Sequence, residues 1–186
     1  MSQALQLICP DDWTEMAWRN GGGTTSEICA ETRDGGLLWR LSTAIVERDG
    51  PYSVFPGLVR ISTVIEGQGT RITEAGTDNW REIAPLVPSR IDGDRQIEGR
   101  LVNGPVRYLN LFFDPARLAA QVSVVRLNGG ARTGSSPSAI FCVAGDCAIA
   151  TSPSPSISAK TLVRDIPAET HLTGEATLVS VVLQSA

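Results

Sequence analysis

The sequence predicts an all-β chain in two halves, with very little helix. Short runs rich in Val, Ile, Leu, Thr and aromatic residues alternate with clusters of Gly, Pro, Asn and Asp, which is typical of strands joined by tight turns. The runs recur about every ten residues, and that spacing favours a sandwich or barrel over alternating strands and helices. One short helix is expected at residues 115–121, because Pro115 follows Asp114 and suits a first helical position.

The strand-like runs divide the chain into the elements expected for such a fold. The predicted strands cover residues 5–8, 24–31, 37–46, 58–66, 69–72, 99–101, 106–113, 121–127, 138–142, 147–150, 161–165 and 177–184. The sequences IEGQGT (65–70) and VAGDCAI (143–149) predict one hairpin in each half, which suggests a duplicated β unit. We therefore expect an N-terminal half at 1–114 and a smaller C-terminal half at 115–186, packed together, with a surface loop at 151–158.

Composition and charge narrow the class of partner. The chain has 186 residues, of which 42% are hydrophobic and 19% charged, with a formal net charge of −4 and a pI near 5.0. Because nucleic-acid and membrane-surface binding need a basic face, neither partner is expected. No run approaches the ~20 apolar residues of a membrane span, and the first residues lack the pattern of a signal peptide. These features predict a cytoplasmic protein whose four cysteines are free thiols.

The chain offers few metal ligands and no paired nucleophile and base. His171 is the only histidine, whereas catalytic zinc and iron sites draw on several imidazoles. There is no GxSxG elbow, and the three glycines at 21–23 lack the lysine and the following helix of a phosphate-binding loop. We interpret these glycines as a bulge or tight turn where the backbone comes close to another group. Neither a metal nor a cofactor is expected.

Polar side chains lie within several predicted strands of the first half. Because side chains alternate along a strand, Arg40 and Ser42 share one face of their strand, and Tyr108 and Asn110 share one face of theirs. Arg60 likewise lies in the middle of a strand between apolar neighbours. Burying an arginine is costly unless its guanidinium group finds a partner, so these positions need an explanation.

Two explanations are compatible with these residues. In the first, Glu27 forms an internal ion pair with an arginine and so stabilises the fold. In the second, an arginine is held ready for a ligand carboxylate while neutral side chains supply further hydrogen bonds. Both hold at once if Glu27 orients an arginine whose other nitrogens face the ligand. The residues expected to contact the ligand are Asn20, Thr25, Glu27, Arg40, Ser42, Arg60, Tyr108 and Asn110.

Four motifs in the same half resemble those of the HutD/Ves family. They are WRNGGGTTSEI from residue 18, WRLSTAIVERDGPYSVFPGLVRISTVIEGQG from residue 39, IDGD from residue 91 and LVNGPVRYLNLF from residue 101. Their order and length make the match specific over residues 18–112. That family is similar to the cupins, so the resemblance implies a bicupin with two cupin-like β-barrel or jelly-roll halves, from a branch of the fold that binds no metal.

The resemblance also implies a biological role. The family is associated with bacterial histidine utilisation, which implies a protein that binds a small acidic metabolite, such as N-formylglutamate, and modulates that pathway. A homodimer is expected on the same grounds. In this interpretation the protein binds its ligand and does not turn it over.

Two other functions are considered beside this one. In the first, the protein is a metal-independent isomerase, lyase or hydrolase in which Glu27 is the general base and Arg40 or Arg60 stabilises an anionic intermediate. In the second, the chain is a scaffold or partner-binding domain, which predicts no cavity near Asn20 and Arg60. We favour binding because a buried arginine within a strand is a costly component of a plain scaffold.

Overall fold

The computed structural model describes residues 5–18, 23–133, 137–151 and 154–186, and nearly all of its regular structure is β-strand. These ranges contain a 3-10 helix at Pro10–Asp12 and no α-helix, and none of their helical segments is long and apolar enough to cross a membrane. The strands are β1 (Gln6–Ile8), β2 (Thr14–Ala17), β3 (Gly23–Arg33), β4 (Gly36–Val46), β5 (Gly50–Pro51), β6 (Val59–Glu66), β7 (Thr70–Glu74), β8 (Arg81–Ile83), β9 (Ser89–Asp92), β10 (Ile97–Leu101), β11 (Val106–Phe113), β12 (Leu118–Arg132), β13 (Ala139–Ile149), β14 (Ser156–Ser158), β15 (Leu162–Arg164) and β16 (His171–Ser185).

Contacts within the chain divide it into two units. The N-terminal unit is Trp13–Leu118, and the C-terminal unit is Ala119–Ser185 together with the chain up to Asp12. The division after Leu118 lies close to the expected one at residue 114. Strand β1, however, pairs with β15, so it belongs to the C-terminal unit rather than to the half in which the sequence analysis placed it. Its three residues carry no signal that identifies a pairing partner so far along the chain.

The N-terminal unit consists of two antiparallel sheets. A six-stranded sheet has the order β2-β3-β4-β11-β6-β9, and a four-stranded sheet has the order β5-β10-β7-β8. Side chains from both sheets form one core, which contains Val46, Val64, Ile72, Ile83, Ile91, Ile97, Val106 and Tyr108. The all-β prediction is confirmed, and of the expected sandwich or barrel the described residues form open sheets rather than a closed barrel. The expected hairpin at 65–70 is wrong, because β6 and β7 belong to different sheets.

The C-terminal unit is built on one sheet. Its strand order is β1-β15-β13-β16-β12, with β14 paired to β13. The expected hairpin at 143–149 is wrong, because β13 is a single strand that pairs with β16 along its length and has a register shift between Cys142 and Ala144. The expected loop at 151–158 includes β14, whose Ile157 pairs with Cys147 and is fully buried.

The expected helix at 115–121 is also wrong. Residues 115–117 form a turn in which the Asp114 carboxylate accepts a hydrogen bond from the Ala116 N–H at 2.9 Å, and β12 begins at Leu118. From Leu118 to Val125 half-buried and exposed positions alternate, which is the period of a strand. Pairing of β12 with β16 therefore overrides the helical propensity of this segment.

Candidate functional site

Three neighbouring strands of the six-stranded sheet, β4, β11 and β6, place their polar side chains in rows. Phe112 of β11 pairs with Arg40 of β4 on one side and with Arg60 of β6 on the other. Directly opposed residues of antiparallel strands point to the same face, so these three form one row, called here the cationic row. The next rows along the strands are Ser42–Asn110–Ser62, called here the amide row, and Ala44–Tyr108–Val64.

These rows, apart from Val64, form the floor of a cavity inside the N-terminal unit. Its volume is about 60 Å³, enough for a few water-sized groups. Successive rows lie roughly 7 Å apart, because two residues of extended chain separate them. The floor therefore changes over a short distance from cationic, through neutral hydrogen-bonding groups, to a mixture of apolar groups and one phenol.

Arg60 is the most deeply buried charged side chain of this floor. It is 9% exposed, and within the described ranges it forms no ion pair. Burial lowers the pKa of Arg60, but a guanidinium group remains protonated at any physiological pH. Its charged end packs on the rings of Tyr52, at 5.3 Å from the centroid, and Phe112, at 6.0 Å. Aromatic faces offset only part of the cost of burying a charge, so the cavity holds an uncompensated positive charge.

Arg40, at the other end of the cationic row, is partly compensated. Its Nη1 lies 3.9 Å from Oε2 of Glu27, which is the outer limit of an ion pair. Burial lowers the pKa of Arg40, and the charge of Glu27 opposes that effect. The guanidinium carbon lies 4.6 Å from the ring centroid of Phe112, and the buried Nε has no hydrogen-bond partner in the described structure. The internal ion pair considered above thus applies to Arg40, while Arg60 is left for another partner.

The amide row supplies neutral hydrogen-bonding groups. The Ser62 hydroxyl donates to Oδ1 of Asn110 at 2.7 Å, which occupies the amide carbonyl and leaves the NH₂ group as a donor. The Ser42 hydroxyl is buried and has no partner among the described groups. A buried hydroxyl without a partner costs free energy, and a ligand acceptor would recover it.

The end of the cavity beyond the amide row is lined by hydroxyl groups and rings. The indole N–H of Trp18 donates to the Thr25 hydroxyl at 2.8 Å. The Tyr108 hydroxyl is hydrogen-bonded to that of Thr70 and lies 3.4 Å from that of Tyr52. Burial, above all, raises the pKa of Tyr108, so the phenol stays neutral. These groups add hydrogen-bonding capacity without adding charge.

The loop between β5 and β6 forms one wall, and the IDGD motif holds it in place. The N–H of Phe55 donates to the Gly93 carbonyl at 2.8 Å, and the N–H of Gly57 donates to the Asp94 carboxylate at 3.1 Å. A Cβ at Gly93 would collide with the carbonyl oxygens of Phe55 and Leu58, so this close approach requires glycine. The result is a fixed Phe55 ring 4.4 Å from that of Phe112, with Arg40 beside both.

Most of the residues predicted from the sequence meet at this cavity. Its lining includes Thr25, Arg40, Ser42, Arg60, Tyr108 and Asn110. Glu27 is not part of the lining, although it pairs with Ser42 and so shares the sheet face of the amide row; its carboxylate contacts Arg40. Asn20 lies outside the described residues, as do the first two of the three glycines. Gly23 lies so close to the Ile45 carbonyl that a Cβ would not fit, which is the close backbone approach that the sequence predicts.

Other lining residues were absent from the predicted set. Ser62 and Phe112 share strand faces with Arg60 and Asn110, so side-chain alternation contained the signal needed to find them. Tyr52, Ser53 and Phe55 lie in an irregular loop, where no periodicity reports the direction of a side chain. His171, the only histidine, is exposed at the start of β16.

Fold and site together define a nearly all-β protein with a small cationic cavity between the two sheets of its N-terminal unit. The chain belongs to the HutD family, whose family model matches residues 10–179. That family is linked to the histidine-utilisation operon.

Individual relatives agree with this assignment. A Pseudomonas putida protein, described as an uncharacterized 21.2 kDa protein in the hutC 3′ region, is 37% identical over 146 residues, which is 77% of this chain and 75% of the relative. The crystal structure of a conserved protein of unknown function from Pseudomonas aeruginosa PAO1 superposes with a TM-score of 0.87 at 28% identity and covers 98% of this chain and 100% of that one. The structure of HutD from Pseudomonas fluorescens SBW25 has a TM-score of 0.80 at 32% identity and covers 97% and 100%.

Proposed function

We propose that this protein binds a small anionic metabolite in the cavity of its N-terminal unit, without a metal, and modulates histidine utilisation through that binding. The observation that carries the proposal is Arg60, a buried cation that lines a cavity and has no carboxylate partner in the described chain. A ligand carboxylate supplies the missing charge, and its hydrogen bonds to a guanidinium group are strong ones.

The change from charged to neutral polar groups along the cavity floor indicates the chemistry of the ligand. A carboxylate fits beside the cationic row, and a neutral carbonyl or amide group fits beside the amide row, where the NH₂ group of Asn110 and the Ser42 hydroxyl are available. N-formylglutamate carries both kinds of group and is the ligand we propose. A cavity of about 60 Å³ admits one end of this molecule rather than all of it.

The wider setting of this function is inferred from the family. We propose that the two units are the cupin-like halves of a bicupin, and that the protein acts in the cytoplasm as a homodimer. Analytical ultracentrifugation with and without N-formylglutamate tests the oligomeric state. A monomer at micromolar concentration under both conditions would contradict the dimer.

Ligand-dependent thermal stabilisation of the native protein tests the binding function. A ligand that binds only the folded state stabilises it by about 2.7 kcal/mol at a hundred times its Kd. We expect N-formylglutamate to raise the Tm of the wild type and to have no effect on Arg60→Met. The control is Arg126→Met, which removes an exposed arginine of β12 in the C-terminal unit and should respond like the wild type. Failure of every histidine-pathway acid to shift Tm at millimolar concentration would refute the proposal.

The placement of Glu27 gives the enzymatic alternative no support. A general base must reach the proton that it removes, yet Glu27 stands outside the lining and faces Arg40. We propose instead that the Glu27 carboxylate partly compensates the charge of Arg40, in competition with the ligand carboxylate.

A further inference from the structure

Tyr52 is fixed in the space between the two sheets of the N-terminal unit. Its backbone N–H donates to the Ile97 carbonyl of β10 at 2.8 Å, which attaches the start of the β5–β6 loop to the four-stranded sheet. Its side chain lines the cavity whose floor belongs to the six-stranded sheet. The Tyr52 ring therefore forms a wall of the cavity and faces the floor formed by the six-stranded sheet.

The ring lies directly on the backbone of Gly99. A Cβ at this position would be 2.5 Å from Cε1 and Cζ of Tyr52, a distance that real Cβ atoms essentially never show. Gly99 lies within β10, paired with Ile72 of β7 and with Gly50 of β5, and its φ is not in the left-handed region. Glycine in a strand interior weakens the strand, so its use here follows from the space that Tyr52 needs.

The opposite side of the ring faces the ligand-binding groups. The guanidinium carbon of Arg60 lies 5.3 Å from the ring centroid, and the Tyr52 hydroxyl lies 3.4 Å from that of Tyr108. The Tyr52 and Tyr108 rings meet edge to face, with centroids 6.4 Å apart and an interplanar angle of 80°. The Tyr52 ring cannot move towards β10, because the Gly99 backbone lies there, or towards the six-stranded sheet, because the floor residues lie there. Tyr52 therefore limits the width of the cavity beside Arg60.

We propose that Tyr52, seated on Gly99, determines which acids enter the cavity. It restricts them to carboxylates whose adjoining carbon is unbranched. An unbranched acid end reaches the cationic row past the edge of the Tyr52 ring, whereas a second or third substituent on that carbon meets the ring. Gly99 is the positioning residue, because it acts through Tyr52. This inference rests on the proposed function and names the class of ligand for the same cavity.

The inference predicts the orientation of a longer ligand. In a dicarboxylate such as N-formylglutamate, the side-chain carboxylate adjoins a CH₂ group, whereas the α-carboxylate adjoins a carbon that also carries nitrogen. The side-chain carboxylate is therefore the end that reaches the cationic row, and the α-carboxylate does not.

Titration with two monocarboxylates of equal charge tests this inference. Propanoate is unbranched next to its carboxylate, and 2,2-dimethylpropanoate carries two more methyl groups at that carbon. One extra methylene in a fitted pocket changes affinity by about 10-fold or more, so we expect calorimetry or NMR to show at least a tenfold preference for propanoate in the wild type. Tyr52→Phe, which keeps the ring, should retain that preference. Tyr52→Leu should reduce it to less than about threefold.

A second variant, at Gly99, tests whether the position of the Tyr52 ring controls binding. Gly99→Ala should displace the Tyr52 ring towards Arg60 and weaken propanoate binding by about tenfold or more, while circular dichroism shows an intact fold. The inference is overturned if folded Tyr52→Leu keeps the wild-type preference or if Gly99→Ala binds propanoate like the wild type. Should Tyr52→Leu fail to fold, Gly99→Ala decides.

The wild-type result separates this inference from the proposed function. Equal affinity for the two acids overturns the width limit and leaves anion binding in place. Binding of neither acid, nor of N-formylglutamate, overturns the proposed function and the width limit together.

Discussion

Each unit has a cavity above one of its sheets, and the two cavities differ in the polarity of the side chains that line them. In the N-terminal unit, a cavity of about 60 Å³ has two guanidinium groups and an amide on its floor. In the C-terminal unit, a cavity of about 310 Å³ lies over the buried side chains Leu127, Ile140, Leu172 and Leu178, and Arg132 is the one charged group among its described lining residues. The two units are both built from antiparallel sheets, but one buries charged and amide side chains at its cavity and the other buries aliphatic side chains.

The difference separates what folding needs from what binding needs. Buried aliphatic side chains stabilise a sheet, and the C-terminal unit relies on them. Among its described residues, the buried groups that can titrate are the thiols of Cys142 and Cys147, whose pKa values are raised by burial, so both remain neutral. Arg60 does the opposite, because it keeps its charge inside the fold without an ion-pair partner among the described residues.

The largest expected effect on stability lies in the C-terminal unit. Leu178 is 2% exposed and belongs to the core cluster there. Leu178→Ala should lower the free energy of unfolding by about 2–5 kcal/mol, measured by urea denaturation, through lost burial and an enlarged cavity. The Kd for N-formylglutamate should stay unchanged. A change in Kd in the still folded variant would show that the two units are not separate in function.

An intermediate effect is expected at alkaline pH. Burial, with Cys147 and Asp146 adding to it, raises the pKa of Cys142 from 9.0 to about 11. The folded protein then keeps a proton that the unfolded chain releases, so this contribution to stability is complete below pH 9 and declines as the pH rises towards 11. Each pKa unit corresponds to about 1.4 kcal/mol, so the loss should be roughly 1–3 kcal/mol.

Two cysteine variants isolate that contribution. Cys142→Ala should lose less stability than the wild type between pH 8 and pH 10.5 in urea denaturation. Cys9→Ala, which removes an exposed thiol, should follow the wild-type curve. Parallel curves for wild type and Cys142→Ala would mean that the buried thiol titrates normally.

The smallest expected effect is at Glu27. Its contact with Arg40 is 3.9 Å long and partly exposed, so Glu27→Gln should change the free energy of unfolding by less than about 1 kcal/mol. Loss of the competing carboxylate should tighten anion binding by up to about fivefold, measured by calorimetry. Weaker binding would show that the main role of Glu27 is to position Arg40. Abolished turnover of a carboxylate substrate would revive the enzymatic alternative.

Most of the long strands were predictable from the sequence, whereas the short strands β2, β5, β8, β9 and β14 and the pairing of strands were not. The apolar and aromatic run at Val106–Phe113 locates β11 without error, because this strand lies between β4 and β6 and is buried along nearly all of its length. The segments at 65–70 and 143–149 contain the residues of a hairpin, yet local sequence does not reveal that β6 and β7 join different sheets or that 143–149 continues one strand. Pairing between distant segments decides that, as it also decides the strand state of Leu118–Arg132.

Part of the site was equally accessible to sequence reasoning. Arg40, Arg60 and Asn110 were predictable because side chains alternate, and a charged residue at an inward position of a strand is conspicuous. Tyr52 and Phe55 were not, because the position of a loop depends on groups far away in the chain, such as Gly93 and its neighbour in the IDGD motif.

The pairing of β1 with β15 has a consequence for how the chain is made. Gln6 leaves the ribosome long before its partner Arg164, so this ladder cannot form until residues 162–164 have been synthesised. Meanwhile the segment Trp13–Leu118 is complete and free to fold during translation. Strand β1 therefore emerges before the N-terminal unit and finds its partner after that unit has been made.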